Sequence, residues 1–238
     1  MTSSPQRPDL AEEFEFSSLA SAVHYRAALI AEFRTYLQGS VLEVGAGVGQ
    51  VTALLLREAG IEHIAALEPD PCFAERLCGQ FPRLELIQGT IAAVPADRTF
   101  DAILSVNVLE HIVEDERELA AYRAHLTRHH GALCLFVPAR PEIFGSIDHD
   151  FGHCRRYLRD ELRAKLTAAG FRVELLSYFN LAGYFAWWWN FRVRRRHVFA
   201  PAAVRFFDRF IFPPQHAVES HLLRPPLGQS LIAVAVAG

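Results

Sequence analysis

Residues 41–50 read Val-Leu-Glu-Val-Gly-Ala-Gly-Val-Gly-Gln, a short apolar run that leads straight into Gly45, Gly47 and Gly49. Glycines at such a point let the backbone turn sharply and approach a ligand with no Cβ in the way. The helical pattern that follows completes a strand–glycine loop–helix unit, which in a parallel sheet places its ligand at the carboxyl ends of the strands. The spacing is GxGxG rather than the GxGxxG of dinucleotide sites. Glu43, two residues before the first glycine, suits a cationic group better than a pyrophosphate.

Outward from this unit, β-branched runs alternate with amphipathic stretches. Upstream, Leu19, Val23, Leu29, Ile30, Phe33 and Leu37 recur at helical spacing up to Gly39. Downstream come a helix over about 50–59, a strand at 63–68, a helix from Pro71, and strands at 84–87 and 100–106. A charged helix over about 114–128 and a strand at 131–137 follow. Strands separated by helices imply parallel βαβ units with helices on both faces, a doubly wound α/β sheet. The second half departs from that rhythm. A polar loop over 138–158 leads to a helix at about 159–169, a strand at 171–179, and a last strand only after residue 228. So long a connection is expected to be a lid or a binding element. The division expected is a leader at 1–17, a cofactor-binding core at 18–180, an aromatic and arginine-rich helical insert at 181–228, and a returning core strand at 229–238.

Composition sets bounds on function. The chain has 238 residues, 51% of them apolar and 21% charged, which is the composition of a globular domain with a substantial core. The formal charge of -3 favours no polyanionic partner overall. Residues 191–224 nevertheless hold seven arginines against Asp208 and Glu219, so the rest of the chain carries -8. The four cysteines form no CxxC pair, which argues against a disulfide framework or a zinc site and for a reducing cytoplasm. The acidic start lacks the apolar stretch of a secretion signal. The most apolar segment, 178–191, is 14 residues long, whereas crossing a bilayer takes roughly 20.

Two further elements fall at strand ends. Glu68 closes the second strand, where a carboxylate can accept hydrogen bonds from a ribose diol. The fourth strand ends in Asn107-Val108-Leu109-Glu110-His111. Together, Glu43-x-Gly45-x-Gly47-x-Gly49, Glu68 and Leu109-Glu110-His111 resemble the class I S-adenosylmethionine-dependent methyltransferases, especially the bacterial small-molecule enzymes. The resemblance covers about residues 20–180 and the terminal strand. It implies a seven-stranded, mostly parallel Rossmann-like sheet, with S-adenosylmethionine as the cofactor. It places Gly45, Ala46, Gly47 and Gly49 around the methionine part, Glu43 near the ammonium group, and Glu68 on the ribose. Pro69 and Asp70 would border the adenine, beside Thr90 and Ile91, while Asn107, Val108 and His111 would complete the pocket. Tyr25, with Arg26 beside it, matches a position that closes over the methionine carboxylate. Where such enzymes commonly carry Gly-Asp after the third strand, this chain has Gly89-Thr90, which removes one adenine anchor.

Methyl transfer from a sulfonium asks mainly for alignment in a dry site, with a base optional. The loop 145–162 crowds Asp148, His149, Asp150, His153, Arg155, Arg156 and Tyr157 near the expected methyl group. His153 is the first base candidate, followed by His149, with Tyr157 a third catalytic candidate. The duller alternative pairs Arg155 and Arg156 with Asp160 and Glu161 and leaves Tyr157 as a core residue. No metal is expected, because the loop shows no regular ligand spacing.

Eight of the fourteen residues at 178–191 are aromatic, and four arginines follow by residue 196. Three consecutive tryptophans cannot share one helix face, so some must meet a substrate, another chain or a lipid surface. An interfacial helix over 187–196 and a lid over an apolar acceptor both remain open. Base-stacking on nucleic acid is disfavoured, because the fourth strand does not end in the Asn/Asp-Pro-Pro-aromatic motif of base-amino methyltransferases. The sequence thus points to methyl transfer to oxygen or nitrogen of a small, partly apolar acceptor. A lipid-linked acceptor at the membrane surface and a non-catalytic cofactor-binding partner are the alternatives. The oligomeric state is left open.

Overall fold

In a computed structural model, which describes residues 21–128, 130–197, 200–221 and 224–238, the chain forms one seven-stranded sheet. The expected leader at 1–17 lies outside the described residues. The strands are β1 (Gly39–Val44), β2 (Ile61–Glu68), β3 (Glu85–Gln88), β4 (Ala102–Val106), β5 (Ala132–Pro138), β6 (Phe171–Phe179) and β7 (Ser230–Ala237). Their order is β3-β2-β1-β4-β5-β7-β6, parallel from β3 to β5, with β7 antiparallel to both its neighbours. This is the doubly wound sheet expected. The order reverses between β1 and β4, and ligands of such sheets bind outside the strand ends at that switch point.

The helices are α1 (Val23–Phe33), α2 (Thr52–Leu55), α3 (Pro71–Gln80), α4 (Asp115–Ala124), α5 (Ser146–Asp150), α6 (Arg159–Ala168), α7 (Leu181–Trp187), α8 (Pro201–Phe206) and α9 (Phe212–His221). α2 is much shorter than the expected 50–59. Beyond Leu55 the chain continues in tighter turns, with Arg57 and Glu58 amides donating to the carbonyls three residues back at 3.0 Å each. The central strands are buried on both faces. One core contains Leu42, Leu67, Ile103, Leu133 and Tyr157; the other holds Phe33, Val41, Leu104, Phe136 and Phe212. Continuous apolar strands such as Ala132–Pro138, every residue buried, are what a sheet covered on both sides requires.

Between β6 and β7, α7 runs on as a π-helical stretch over Trp188–Val193, and α8 and α9 are joined by another over Phe207–Ile211. Pro213 and Pro214 lack the amide hydrogens that would bond the preceding turn, and the helix widens immediately before them. Two acids fasten this insert to the core. Asp208 accepts from the His24 and Tyr25 amides (3.0 and 2.8 Å) and so caps α1 across the chain. Glu219 accepts from the Asn180 and Leu181 amides (3.1 and 2.7 Å) at the start of α7. Among the described residues, no helix is long and apolar enough to cross a membrane.

Candidate active site

The glycine loop turns in a way that side chains rarely tolerate. Gly45, Gly47 and Gly49 have φ of 71°, 54° and 78°, all left-handed. A Cβ on Gly45 would overlap the Val108 side chain, and one on Gly49 would lie 2.5 Å from Phe81 Cε2. The loop is bound to β2: the Gly45 and Ala46 amides donate to the Leu67 carbonyl at 2.8 and 3.2 Å, and the Gly47 amide donates to Glu68 Oε2 at 2.7 Å. Above it lies a cleft whose walls include Tyr25, Arg26, Glu43, Gly45, Gly47 and Asn107. Bare backbone below and mixed polar and aromatic walls above fit the amino-acid tail of an adenosyl-sulfonium.

Glu43 reaches this cleft from β1, but its carboxylate is almost wholly buried and accepts from the Thr52 hydroxyl at 2.6 Å. Burial pushes its pKa up to about 8, with the nearby Glu68 charge adding to the rise. Glu68 spends one oxygen on the Gly47 amide and the other on the Asp70 amide (2.9 Å), so it ties the loop to the turn after β2. Burial raises its pKa above the usual carboxylate value, while those two amide bonds oppose the rise. Pro69 is exposed beside it, and Asp70 caps α3 through the Cys72 and Phe73 amides. Asn107 ends β4 with φ of 53°, its amide donating to the Phe136 carbonyl at 2.8 Å, and Val108 packs toward Gly45. Thr90 and Ile91 are not brought to the glycine cleft. They line a separate hollow shared with Ile112, Arg117 and Ala121 of the α4 side.

Tyr25 also differs in detail from expectation. Its ring packs against Phe136, Phe179 and Phe212, with centroids 6.1, 5.3 and 5.0 Å away, while its hydroxyl lies against Ser230 and Asn180. The ring therefore faces the cleft, but the hydroxyl is engaged inside the fold. Arg26, also at the cleft, donates from Nη1 to Gln50 Oε1 at 2.7 Å.

The loop after β5 is organised around Asp148, fully buried on α5. Asp148 Oδ1 accepts from Arg156 Nε at 2.8 Å and lies 2.9 Å from His153 Nδ1; Oδ2 accepts from the Gly145 amide at 2.9 Å. Arg156 in turn lies over the Trp187 ring, 4.7 Å from its centroid. His153 thereby comes to rest against the turn after β4, its Nε2 3.9 Å from Glu110 Oε1 and its ring edge-on to His111 at 4.7 Å. Desolvation of the inward side of its ring and the neighbouring His153 hold the His111 pKa down at about 4, so that ring is neutral near pH 7.

The other two catalytic candidates are placed elsewhere. His149 is exposed and packs on Phe144. Tyr157 is fully buried, and its single hydroxyl proton is shared between Asp115 Oδ2 at 2.9 Å and the Leu109 carbonyl at 3.2 Å, which leaves it no path to an acceptor. The alternative pairing of the arginines with Asp160 and Glu161 does not form either, although its buried Tyr157 does. Arg155 joins Asp115 at 2.6 Å and Arg156 joins Asp148, because the loop folds back over β4 instead of along α6. Sequence reasoning missed the burial of Glu110, which stands in a turn where an acid is ordinarily solvated.

A doubly wound sheet with this strand order and a glycine cradle at its switch point is the fold of the class I methyltransferases. Residues 13–176, well over half the chain, match the methyltransferase domain family model, and the chain belongs to that family. It is similar to an uncharacterized methyltransferase of Alkaliphilus oremlandii, 28% identical over 83 residues, which are 35% of this chain and 38% of that one. The matched region thus spans well under half of that relative. An S-adenosylmethionine-dependent methyltransferase from Clostridium acetobutylicum shares the fold at a TM-score of 0.61 and 10% identity, covering 91% of this chain and 92% of the other. One from Archaeoglobus fulgidus does so at 0.59 and 14%, covering 90% and 93%.

Proposed function

We propose that this methyltransferase acts on an oxygen or nitrogen of a small, partly apolar acceptor, chiefly by holding it in line with the activated methyl group. The observation that carries the reading is the cleft at the β1–β4 switch point, floored by Ala46 and the left-handed Gly45 and Gly47 and walled by Tyr25, Arg26, Glu43 and Asn107. The cofactor supplies a methyl carbon already activated by a sulfonium. The chain's own part is to bind and orient. Gly45, Ala46, Gly47 and Gly49 cradle the amino-acid tail, Glu43 faces its ammonium group, and Glu68 offers its remaining lone pairs to the ribose. Pro69 borders the base, and Asn107, Val108 and the Tyr25 ring close the site. The acceptor lies beyond Asn107, toward Glu110, His111 and His153, where His153, oriented by Asp148, is the group placed to take an acceptor proton. Calorimetry with S-adenosylhomocysteine should give one site per chain, and Gly45→Val, strained at a left-handed φ and crowded against Val108, should abolish binding in the protein that circular dichroism shows to be folded. Undiminished binding by a folded Gly45→Val would remove the basis of the reading.

A second reading, an amphiphilic acceptor met at a membrane surface, is supported by the insert. Phe185, Trp188, Trp189, Phe206 and Phe210 are exposed, and so are Arg192, Arg194, Arg195, Arg196, Arg205 and Arg209. The acids of this segment, Asp208 and Glu219, are buried in capping bonds, so they leave those arginines' charge uncompensated at the surface. Exposed rings interleaved with cations suit an anionic lipid interface. Co-sedimentation with anionic but not zwitterionic vesicles, lost in Trp188→Ser/Trp189→Ser, would support it; no co-sedimentation would leave the soluble acceptor.

A further inference from the structure

Glu110 combines three features that an ordinary turn acid lacks. Its side chain is fully buried, neither carboxylate oxygen has a hydrogen-bond partner on another residue among those described, and it faces imidazole rings. A buried carboxylate left without a partner is a costly arrangement that native folds avoid. One ligand atom from each of Glu110, His111 and His153 lies within 4.8 Å of the others.

The rings are already set up as ligands. His153 Nδ1 is held by Asp148 at 2.9 Å, which fixes the tautomer and leaves Nε2 free on the side of Glu110. This is the carboxylate–histidine relay that orients metal-bound imidazoles. His111 is held against the backbone carbonyls of Gly152 and Phe151 and is exposed to solvent on its outer side. Asp148 is compensated by Arg156, so the carboxylate that lacks a bonded cation is Glu110 itself.

We propose that Glu110, His111 and His153 bind one divalent first-row transition-metal ion, with Asp148 as the positioning residue for His153. Two imidazoles and a carboxylate select zinc and its neighbours over magnesium or calcium, which prefer all-oxygen sites. Tetrahedral bonds of about 2.0–2.1 Å put ligand atoms roughly 3.4 Å apart, so the three side chains close around the ion by small rotamer shifts. Three protein ligands leave a coordination position open on the solvent side. There the ion lowers the pKa of an acceptor hydroxyl, whose proton passes to solvent. The oxygen then forms its bond to the methyl carbon as the carbon–sulfur bond breaks, giving a methyl ether and a neutral thioether. In that state His153 is a ligand, and the ion replaces it in activating the acceptor. Ion binding stands by itself; its service to an acceptor rests on the methyl-transfer reading.

The experiment titrates the metal-stripped full chain with zinc chloride by calorimetry and with cobalt chloride by visible absorption, alongside a separate titration with S-adenosylhomocysteine. One ion per chain is expected, with the strong visible bands of four-coordinate cobalt. Glu110→Gln and His153→Gln should each weaken zinc at least about tenfold, and Asp148→Asn about tenfold through the outer shell. His149→Ala, an exposed neighbour outside the cluster, should leave zinc affinity unchanged. Circular dichroism checks the fold of every variant, and Glu110→Gln, which replaces an unpartnered buried carboxyl with an amide of the same shape, should melt no lower than the metal-free parent. Substoichiometric zinc uptake, or equal zinc affinity in folded Glu110→Gln and the parent, overturns the site. If S-adenosylhomocysteine still binds in that case, the methyltransferase reading survives; zinc uptake without nucleoside binding has the opposite meaning.

Discussion

Glu43 gives the sharpest test of the cleft's electrostatics. Its carboxylate lies under the glycine loop with 3% of the residue exposed, and burial lifts its pKa from 4.5 to about 8. Between those values the folded chain keeps a proton that the unfolded chain releases. Stability from this group is therefore complete below about pH 4.5 and drains away as pH rises toward 8, at about 1.4 kcal/mol per pH unit. From about pH 5.5 to 7.5 the loss comes to about 2.7 kcal/mol. Glu43→Gln keeps the shape and an oxygen for the Thr52 hydroxyl but has nothing to ionise. Urea unfolding of both proteins at the two pH values, with all other titrations shared, should show the parent losing about 2–3 kcal/mol more than the variant. Saturating S-adenosylhomocysteine should narrow the gap, because its ammonium group favours the ionised carboxylate. Equal losses in parent and variant would refute the argument that burial holds this carboxyl neutral in the protein without nucleoside.

Two further outcomes follow from the hydrogen bonds. Asp208→Ala strips α1 of its cap from the insert and should cost about 1–2 kcal/mol in chemical unfolding. It should also weaken S-adenosylhomocysteine, because Tyr25 and Arg26 follow directly on that cap; nucleoside affinity equal to the parent's would show that the insert does not position them. Tyr157→Phe should lose about 1–3 kcal/mol of stability with its hydroxyl bonds to Asp115 and Leu109, yet keep kcat and KM wherever it is folded. A drop in kcat with unchanged stability would return Tyr157 to the chemistry.

The first half of the chain was open to reading because its signals are local. A buried parallel strand must be apolar along its whole length, a left-handed loop must be glycine, and both constraints are written into residues 41–49 with no reference to the rest of the fold. The same logic recovered the strand after each helix; the class of cofactor came with the family resemblance of the motifs. Local signals also explain the errors at α2, whose apolar spacing continues past Leu55 while the backbone tightens.

The acceptor side could not be read this way. Within 145–158 the sequence offers an undivided cluster of acids, histidines and arginines, and nothing local says that Asp148 is buried while His149 stays outside. The insert's arginines were legible as a charge excess; that its two acids turn inward to cap α1 and α7 was not. Sequence alone determined the sheet and the glycine cradle, because backbone geometry and strand burial act on neighbouring residues, while the kind of nucleoside was implied by the resemblance of its motifs to a known family. Tertiary structure alone decided that Glu110 and His111 meet His153 across the β4 end and that Glu110 is buried there, because burial and ligand geometry depend on which distant segment covers a side chain.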